Sequence, residues 1–494
     1  MINLLFLHPT PGLGRQASYS KACQNLSAEG IQSHFVYNGE ELPIECESSY
    51  HFNSWVERNR GLIDRTNIQE LESRYPDSNL RLAIVAERRI ANYSLLEGSY
   101  PSIEYDEVEL LFLLKAGVLF YEFVLEDAGI THVLAHHTDN FHSALLFEMS
   151  LSLGYECFLL FPDYYWNRTV QYCFDNKYFL SSRLRSRYEE LLSDPVFQSR
   201  LLEPDVDAYI QSRIQNDAST VQPSVLPRLG LMANVLNAFQ TLRRRDLRFH
   251  WLRGNIVDDY GQIHLPSSIR AFLKRNLNLI GARLFVTYDS VPDSGFVYFP
   301  LQRVPEAAML SRAVGYLNQT SLVEVLSASL PAGTTLVVKD HPRGPGIHSA
   351  GFYNTLTRLP NVVLVAPETS NEYLQSRCDL LVTVAGTLGF QQLLSGRPIL
   401  MLGRKYYEIL EGIIHVTDLN SLPYILKKTL AKEYSFDDAT MARSLRAFVS
   451  AMIDTGFETG VDLKDIHHDP EKLASLLLRI FSEVYKHSQV ERDY

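Results

Sequence analysis

The sequence predicts an α/β protein with two doubly wound parallel sheets and a helical connector between them. The chain has 494 residues, more than the roughly 250–300 at which a single hydrophobic core stops growing. Short apolar runs alternate with helical spacing in residues 1–160 and again in 295–402, whereas the strand pattern fades between about 194 and 278. Because strands that alternate with helices form parallel βαβ units, each of the two regions predicts its own domain.

The elements of the first region are short apolar runs bounded by polar residues. Strands are expected at Ile2–Leu7, Leu82–Ala86, His132–Ala135 and 157–161, and helices from about Ala17 and over Phe141–Leu153. A Pro/Gly loop follows the first strand, and the last helix stops at Gly154.

The second region repeats the pattern more strongly. Strands are expected at 295–300, Thr335–Lys339, Val362–Val365, 380–384 and 398–402, and helices at 321–330, 352–358, 370–377 and 390–395. We therefore expect a Rossmann-like N-terminal domain over 1–193, a helical connector over 194–290, and a Rossmann-like C-terminal domain over 291–430. Residues 431–494 are expected to form helices on the outside.

Composition excludes several classes of protein. The formal net charge of -11 argues against a general nucleic-acid binder, which would carry a basic surplus. The five cysteines are odd in number and contain no CxxC pair, so they indicate neither a disulfide framework nor a thiolate zinc site. A reducing, cytoplasmic compartment is expected.

Membrane-spanning and secretory segments are not expected. The longest apolar stretch, 108–125, is interrupted by Glu109, Lys115 and Glu122 and therefore predicts a buried helix. The apolar start of the chain is too short for a signal peptide and has no basic region before it.

The segment Lys339, Asp340, His341, Pro342 and Arg343 follows a predicted strand. Ligands of open α/β sheets bind outside the carboxyl ends of the strands. The three basic side chains could neutralise a phosphate there, and His341 could protonate a departing phosphate group. The alternative is a solvated turn with a structural proline.

The loop 384–389, with the sequence VAGTLG, joins a predicted strand to a predicted helix. Its small residues would let backbone N–H groups approach an anion at the helix N-terminus, and Thr387 would add a hydroxyl. No lysine follows the second glycine, so this is not a Walker A loop. Tight strand–helix packing would explain the glycines equally well.

Four short motifs in this region resemble those of bacterial capsular polysaccharide biosynthesis proteins, a family that includes β-Kdo transferases. The strand 296–302, FVYFPLQ, resembles the one that opens the family's second domain. Residues 339–342 resemble its KEHP element with aspartate in place of glutamate, 384–389 resemble its TGTxG loop, and 403–407 resemble its GxxW/YY element. The motifs occur in the same order and at the same spacing between about 296 and 422.

The resemblance implies a GT-B fold, two Rossmann-like domains facing across a cleft, and a CMP-activated 3-deoxy-2-ulosonic acid such as Kdo as the donor. It implies that His341 and Thr387 contact the CMP phosphate. The donor site would comprise these two residues with six further positions: Gln302, Lys339, Arg343, Gly386, Gly389 and Tyr407. No metal or other cofactor is expected.

The N-terminal segment 136–142, HHTDNFH, follows one predicted strand and opens a predicted helix. Asp139 is the favoured nucleophile of a retaining transferase, because His142 and the other neighbours could supply acid–base catalysis. His136 and His137 are candidates for acceptor contacts. Alternatively, Asp139 or Asn140 simply caps the helix. His136 precedes the helix, so a metal site shared with Asp139 and His142 is not expected.

Four further residues are candidates for the acceptor side. Glu87 and Asp163 are alternative carboxylates, although a surface salt bridge with neighbouring arginines would explain Glu87 and a turn would explain Asp163. Gly12 and Arg15 belong to the loop after the first strand, where glycines would allow close approach of an acceptor or form a plain turn.

These features together predict a glycosyltransferase with a nucleotide-sugar donor and a glycan or glycolipid acceptor. The alternatives are a GT-B transferase with a UDP-sugar, GDP-sugar or CDP-polyol donor, and a non-catalytic partner in glycan assembly. A basic run at 243–245 near Phe249 and Trp251 suggests peripheral contact with the inner membrane or a capsule-assembly complex, unless it is a solvated helix face.

Overall fold

The computed structural model describes most of the chain with side chains. The described residues are 2–7, 16–37, 44–87, 102–135, 138, 140–162, 169–173, 178–193, 195–220, 249–250, 252, 254–259, 263–341, 344, 346–434, 436–459 and 469–490.

The strands of the described residues form two large sheets and one small ribbon. In chain order they are β1 Ile2–Leu7, β2 Ile31–Tyr37, β3 Ser48–His51, β4 His132–Ala135, β5 Glu156–Pro162, β6 Thr169–Cys173, β7 Phe249–His250, β8 Ile263–His264, β9 Phe296–Pro300, β10 Thr335–Lys339, β11 Val362–Val365, β12 Leu380–Thr383, β13 Ile399–Met401, β14 Ile413–His415 and β15 Phe457–Glu458.

The described residues also form α-helices. They are α1 Gln16–Ala28, α2 Phe52–Arg65, α3 Ile68–Ser73, α4 Leu82–Ala86, α5 Glu107–Asp127, α6 Phe141–Leu153, α7 Ser182–Ser193, α8 Pro204–Thr220, α9 Ile256–Asp259, α10 Leu265–Phe285, α11 Ala307–Arg312, α12 Gln319–Ser329, α13 Ala350–Thr357, α14 Asn371–Arg377, α15 Thr387–Leu394, α16 Leu422–Leu430, α17 Asp438–Thr455 and α18 Pro470–Val490.

The first sheet has the order β15-β6-β5-β4-β1-β2-β3. Its five strands from β3 to β5 are parallel, and the edge strands β6 and β15 are antiparallel to their neighbours. The direction of winding reverses between β1 and β4, which is the point where ligands of open α/β sheets bind.

The second sheet has the order β11-β10-β9-β12-β13-β14, and all its pairs are parallel. This is the strand order of the dinucleotide-binding Rossmann fold, with the reversal between β9 and β12. The strands read as continuous apolar runs because helices cover both faces; all five residues of Phe296–Pro300 are buried. The two Rossmann-like α/β domains predicted from the sequence are therefore confirmed.

The chain returns to the first domain after completing the second. Helix α17 packs against α7, strand β15 extends the first sheet beyond β6, and α18 packs against α1. The α18 side chains Leu473, Leu477 and Phe481 share a core with Leu4 and Phe35 of the first sheet. Residues after 431 thus complete the first domain, where the sequence suggested only an outer covering.

Several elements of the first domain differ from the sequence predictions. Leu82–Ala86 is the helix α4 and not a strand, because a short apolar run fits a buried helix as well as a strand. Strands β2 and β3 were not predicted, since polar residues interrupt them. Inside β2, His34 Nδ1 lies 2.7 Å from Ser48 Oγ on β3, so a contact between strands accommodates these polar residues.

The apolar stretch 108–125 lies within α5, whose capping box is formed by Asp106 and Glu109. Among the helices described here, none is both long and apolar enough to cross a membrane.

Candidate functional site

The strands β9 and β12 bring two predicted donor residues together at the reversal of the second sheet. Gln302 follows β9 and Gly386 follows β12. A β-carbon built on Gly386 would lie 3.3 Å from Gln302 Oε1 and 3.1 Å from Thr383 Oγ1, so Gln302 lies directly beside the glycine. These residues therefore line the place where the topology expects a ligand.

The backbone of Gln302 is fixed by a second glutamine. Gln302 N donates to Gln319 Oε1 at 2.5 Å, and Gln319 Nε2 donates back to Gln302 O at 2.6 Å. Its own side-chain Nε2 donates to Pro300 O at 3.2 Å. The residue after β9 is thus held in one orientation by the start of α12.

The loop before α15 presents an open helix N-terminus. Gly386 is its N-cap residue and offers no side chain to the first N–H groups of the helix, and Thr387 at the first helical position is exposed. Uncapped N–H groups carry a partial positive charge and bind anions. The geometry therefore suits a phosphate group between Thr387 and the neighbouring strand ends.

Two hydroxyl groups hold this loop from behind. Gly386 N donates to Thr383 Oγ1 at 3.2 Å, and Tyr407 Oη donates to Gly386 O at 2.5 Å. Tyr407 itself is fully buried, so it supports the loop and does not reach the surface. A β-carbon on Gly389 would lie 2.5 Å from Tyr407 Oη and 3.0 Å from Ile399 Cδ1; this glycine therefore makes room for the tyrosine.

The segment after β10 divides into buried and accessible residues. Asp340 is 2% exposed; its carboxylate accepts from Tyr353 Oη at 2.5 Å and from the His341 amide at 2.7 Å. Burial raises the pKa of Asp340 to about 6, while the hydrogen bonds from Tyr353 and the His341 amide oppose that rise. Asp340 thus shapes the loop, and His341 is left half-buried at the end of the strand.

Lys339, the last residue of β10, is buried. Its Nζ donates to Asn371 Oδ1 at 2.5 Å, and Tyr298 Oη donates to the same oxygen at 3.0 Å. Burial lowers the pKa of Lys339 to about 8, partly offset by the charges of Asp340 and Glu368. Lys339 is therefore a cation near the site whose ammonium group is bound to Asn371.

His142, expected to act in catalysis, lies within the core of the first domain. It is 1% exposed, and its Nδ1 lies 2.7 Å from Tyr121 Oη. The ring of Phe52 is 4.6 Å from its own, and burial lowers its pKa to about 3. No substrate reaches this position without opening the core, so the structure assigns His142 to packing.

Glu87 is buried as well. Its Oε2 accepts from Phe141 N at 3.3 Å, at the start of α6. Asn140 caps the same helix, because its Oδ1 accepts from Ser143 N at 3.0 Å. The capping interpretation is therefore confirmed for Asn140, and Glu87 stabilises the same helix end.

Several predicted site residues lie outside the described part of the chain. They are Gly12, Arg15, His136, His137, Asp139, Asp163 and Arg343, together with the arginines at 243–245. Within the described residues, no three His, Cys, Asp or Glu side chains come together in a way that could hold a metal ion.

Sequence reasoning missed the residues that hold the site in place. Gln319, Thr383 and Asn371 carry no motif signal, because their roles depend on side-chain contacts across the fold. Only the strand-end position of Thr383, three residues before Gly386, could have suggested its bond to the loop.

Comparison with solved structures gives distant likenesses. A KpsC β-Kdo 2,7 transferase from Thermosulfurimonas dismutans is 10% identical, with 78% of this chain and 95% of that chain covered at a TM-score of 0.33. The β-Kdo 2,4 transferase of the same KpsC is 12% identical, with 65% and 79% covered at a TM-score of 0.30.

A third structure, Anabaena Alr3699/HepE in complex with UDP and glucose, is 11% identical, with 96% and 100% covered at a TM-score of 0.25. At TM-scores this low, the likenesses identify neither a substrate nor a reaction. No curated protein matches the chain.

The sequence model of one family matches a segment of the second domain. It is described as "capsule polysaccharide biosynthesis protein" and matches residues 318–445. The match includes three of the four motifs noted above, around His341, Gly386 and Tyr407. The resemblance predicted from the sequence is therefore confirmed, and residues 318–445 carry the signature of the capsule polysaccharide biosynthesis protein family.

Proposed function

We propose that the protein is a glycosyltransferase that moves a 3-deoxy-2-ulosonic acid such as Kdo from a CMP-activated donor to a bacterial surface glycan, in capsule or lipopolysaccharide. The observation that carries the proposal is the meeting of Gln302 with the open N-terminus of α15 at the reversal of the second sheet. The family match of this domain supports the same function.

The donor phosphate is placed between the N-terminus of α15 and the end of β10. The N–H groups of the helix and the Thr387 hydroxyl donate to its oxygens. His341, which follows β10, donates a hydrogen bond or proton as the phosphate departs. Lys339 contributes positive charge from behind, through its position beside Asn371.

The acceptor side belongs to the first domain in this proposal. Asp139 remains the predicted nucleophile, and His136, His137, Gly12, Arg15 and Asp163 remain predicted acceptor contacts. His142 and Glu87 keep α6 in position and do not touch substrate. The reaction proceeds without a metal, and the acceptor brings the enzyme to the inner-membrane face.

Thermal-shift titration with CMP, CDP, UDP and GDP tests the donor. A ligand that binds only the folded state stabilises it by about 2.7 kcal/mol at a concentration 100 times its Kd. We expect CMP to raise the melting temperature of the wild type, and His341→Ala to reduce that rise and to lower turnover by about 100-fold or more. The exposed His415→Ala serves as the matched control.

Each other outcome has a defined meaning. Stabilisation by UDP or GDP alone would overturn the CMP donor and keep the transferase. Stabilisation by none of the four, or full turnover in a folded His341→Ala variant, would overturn the proposed mechanism and favour a partner in glycan assembly.

A further inference from the structure

We propose that Arg275 and Arg303 form a second oxyanion site beside the donor phosphate, which takes a carboxylate or an outer phosphate oxygen of the donor. The proposal rests on the proposed function, in which the second domain binds a nucleotide-activated sugar. It adds two residues that no sequence motif singled out.

The fold brings the two arginines to the carboxyl edge from different elements. Arg303 directly follows Gln302, the residue clamped by Gln319. Arg275 lies on α10 and packs against the loop after β10, where a β-carbon on Gly346 would lie 2.8 Å from Arg275 Cγ. Gly346 has φ +85, a left-handed conformation that glycine adopts readily, so the loop can approach the helix at this point.

Neither arginine has a carboxylate partner among the described residues. The Nε atoms of both Arg275 and Arg303 are buried without a hydrogen-bond partner. Arg200, which is also partly buried, differs in that it contacts Asp205 at 2.8 Å and Asp454 at 2.9 Å. The pair at the second sheet is therefore an excess of positive charge with unused donors.

The two charges also act on each other. Burial lowers the pKa of Arg275, and the positive charge of Arg303 lowers it further. Like charges in a partly buried place destabilise the fold unless an anion lies between them. The planar guanidinium group donates two parallel hydrogen bonds to a carboxylate or phosphate, which fits the missing partner.

Isothermal calorimetry with CMP and with a CMP-linked ulosonic acid tests the site. Arg303→Gln and Arg275→Gln should each weaken binding of at least one of these ligands by about tenfold or more. Loss for the ulosonic acid conjugate alone identifies the carboxylate as the bound group, whereas equal loss for both ligands identifies the phosphate. The exposed Arg283→Gln on the same helix is the control.

Melting temperatures show whether each variant is folded. Arg303→Lys keeps the positive charge but not the planar guanidinium group, so its affinity should lie between those of the wild type and Arg303→Gln. Unchanged affinity for both ligands in folded Arg303→Gln would overturn the oxyanion site alone. If the wild type binds UDP or GDP and not CMP, the arginine variants are measured with that nucleotide. The arginine site is then tested even though the CMP donor assignment has failed. A wild type that binds no nucleotide overturns both.

The opposite face of α10 carries an independent feature. Five apolar side chains on this face, each 44–68% exposed, form one stripe: Ile269, Leu273, Leu277, Ile280 and Leu284. Their spacing of three and four residues places them on one side of the helix. Arg275 lies on the other side, toward the loop at Gly346.

The charged residues of α10 are all basic. Arg270, Lys274 and Arg283 accompany it, and α10 contains no aspartate or glutamate although the whole chain has a net charge of -11. We infer that this face docks on an anionic lipid surface, with the apolar stripe in the interface and the cations at the headgroups.

Cosedimentation of the full chain with vesicles tests the docking. We expect binding to vesicles that contain phosphatidylglycerol, weaker binding in high salt, and little binding to phosphatidylcholine alone. The double variant Leu273→Glu/Leu277→Glu should lose at least about tenfold in vesicle affinity, since it places two charges in the interface. Leu62→Glu on α2, also exposed, is the control.

Because these leucines are exposed, the variant should keep the wild-type melting temperature. Equal sedimentation of the variant and the wild type would overturn the proposal. The wild type could instead form a dimer that does not bind vesicles, with the double variant monomeric. That result would overturn lipid docking and show that the face binds a second copy of the chain.

Discussion

The two parallel sheets use the polar residues near their carboxyl edges in opposite ways. In the first domain, Glu87 and His142 are buried and stabilise α6 and the core around it. In the second domain, Gln302 and His341 are half-buried and Thr387 is exposed. The residue types alone do not distinguish the two sets.

The difference lies in what supports each motif. In the second domain, buried partners such as Asp340 and Tyr407 hold the backbone and leave the neighbouring residue open to a ligand. In the described part of the first domain, Glu87 and His142 are themselves the buried residues that hold α6 and the core in place. A polar residue after a strand is therefore a candidate for ligand contact only when another residue already satisfies the loop.

The largest expected effect is on the stability of the first domain. His142→Ala removes a fully buried ring and leaves Tyr121 Oη without its partner, so we expect a loss of about 3 kcal/mol in the free energy of unfolding. Urea denaturation measures this loss, with exposed His415→Ala as the control. Folded His142→Ala should retain CMP binding and turnover; loss of turnover at unchanged stability would contradict the comparison.

A smaller effect is expected from the pH dependence of the second domain. The pKa of Asp340 is about 6 in the folded protein and 3.8 in an unperturbed carboxyl. Between these values the folded protein holds a proton that the unfolded chain has lost, so stability falls as the pH rises from about 4 to about 6. Lys339, with a pKa of about 8, stays protonated over this range.

Asp340→Asn removes that titration. Its free energy of unfolding, relative to the wild type, should rise by about 2 kcal/mol between pH 4 and pH 7. Denaturant titrations at several pH values measure the difference, and fully exposed Asp293→Asn should show none. A constant offset at all pH values would mean that Asp340 does not titrate within the fold.

The smallest effect is expected at Tyr407. Tyr407→Phe leaves the Gly386 carbonyl without its hydroxyl donor, which should cost about 1 kcal/mol of stability and weaken CMP binding several-fold. Thermal unfolding and CMP calorimetry measure the two changes, with exposed Tyr424→Phe as the control. Weakened CMP binding at unchanged stability would place Tyr407 closer to the ligand than its burial indicates.

The second sheet was predictable almost strand by strand, because parallel strands covered on both faces are continuous apolar runs. Thr335–Lys339 and Val362–Val365 match their predicted bounds. The first sheet was less predictable. Ile31–Tyr37 contains buried Ser33 and His34, whose pairing with β3 is not visible in periodicity, and the run at Leu82–Ala86 is too short to separate helix from strand.

The site shows the same division. The motif order placed Gln302, His341 and Gly386 correctly at strand ends, since topology brings the carboxyl ends of parallel strands to one edge. The sequence could not reveal that Lys339 binds Asn371, that Gly389 makes room for Tyr407, or that Arg275 has no carboxylate partner among the described residues. Each of these depends on contacts between residues far apart in the chain.

The return of the chain to the first domain has a consequence for synthesis on the ribosome. Strand β6 pairs with β15, and the whole second sheet lies between them in the chain. At roughly 5–20 residues per second, the ribosome needs on the order of tens of seconds to supply β15 after β6. During that time β6 is an open strand edge, to which another chain could pair. The edge of β6 is therefore covered only after the second domain has been made.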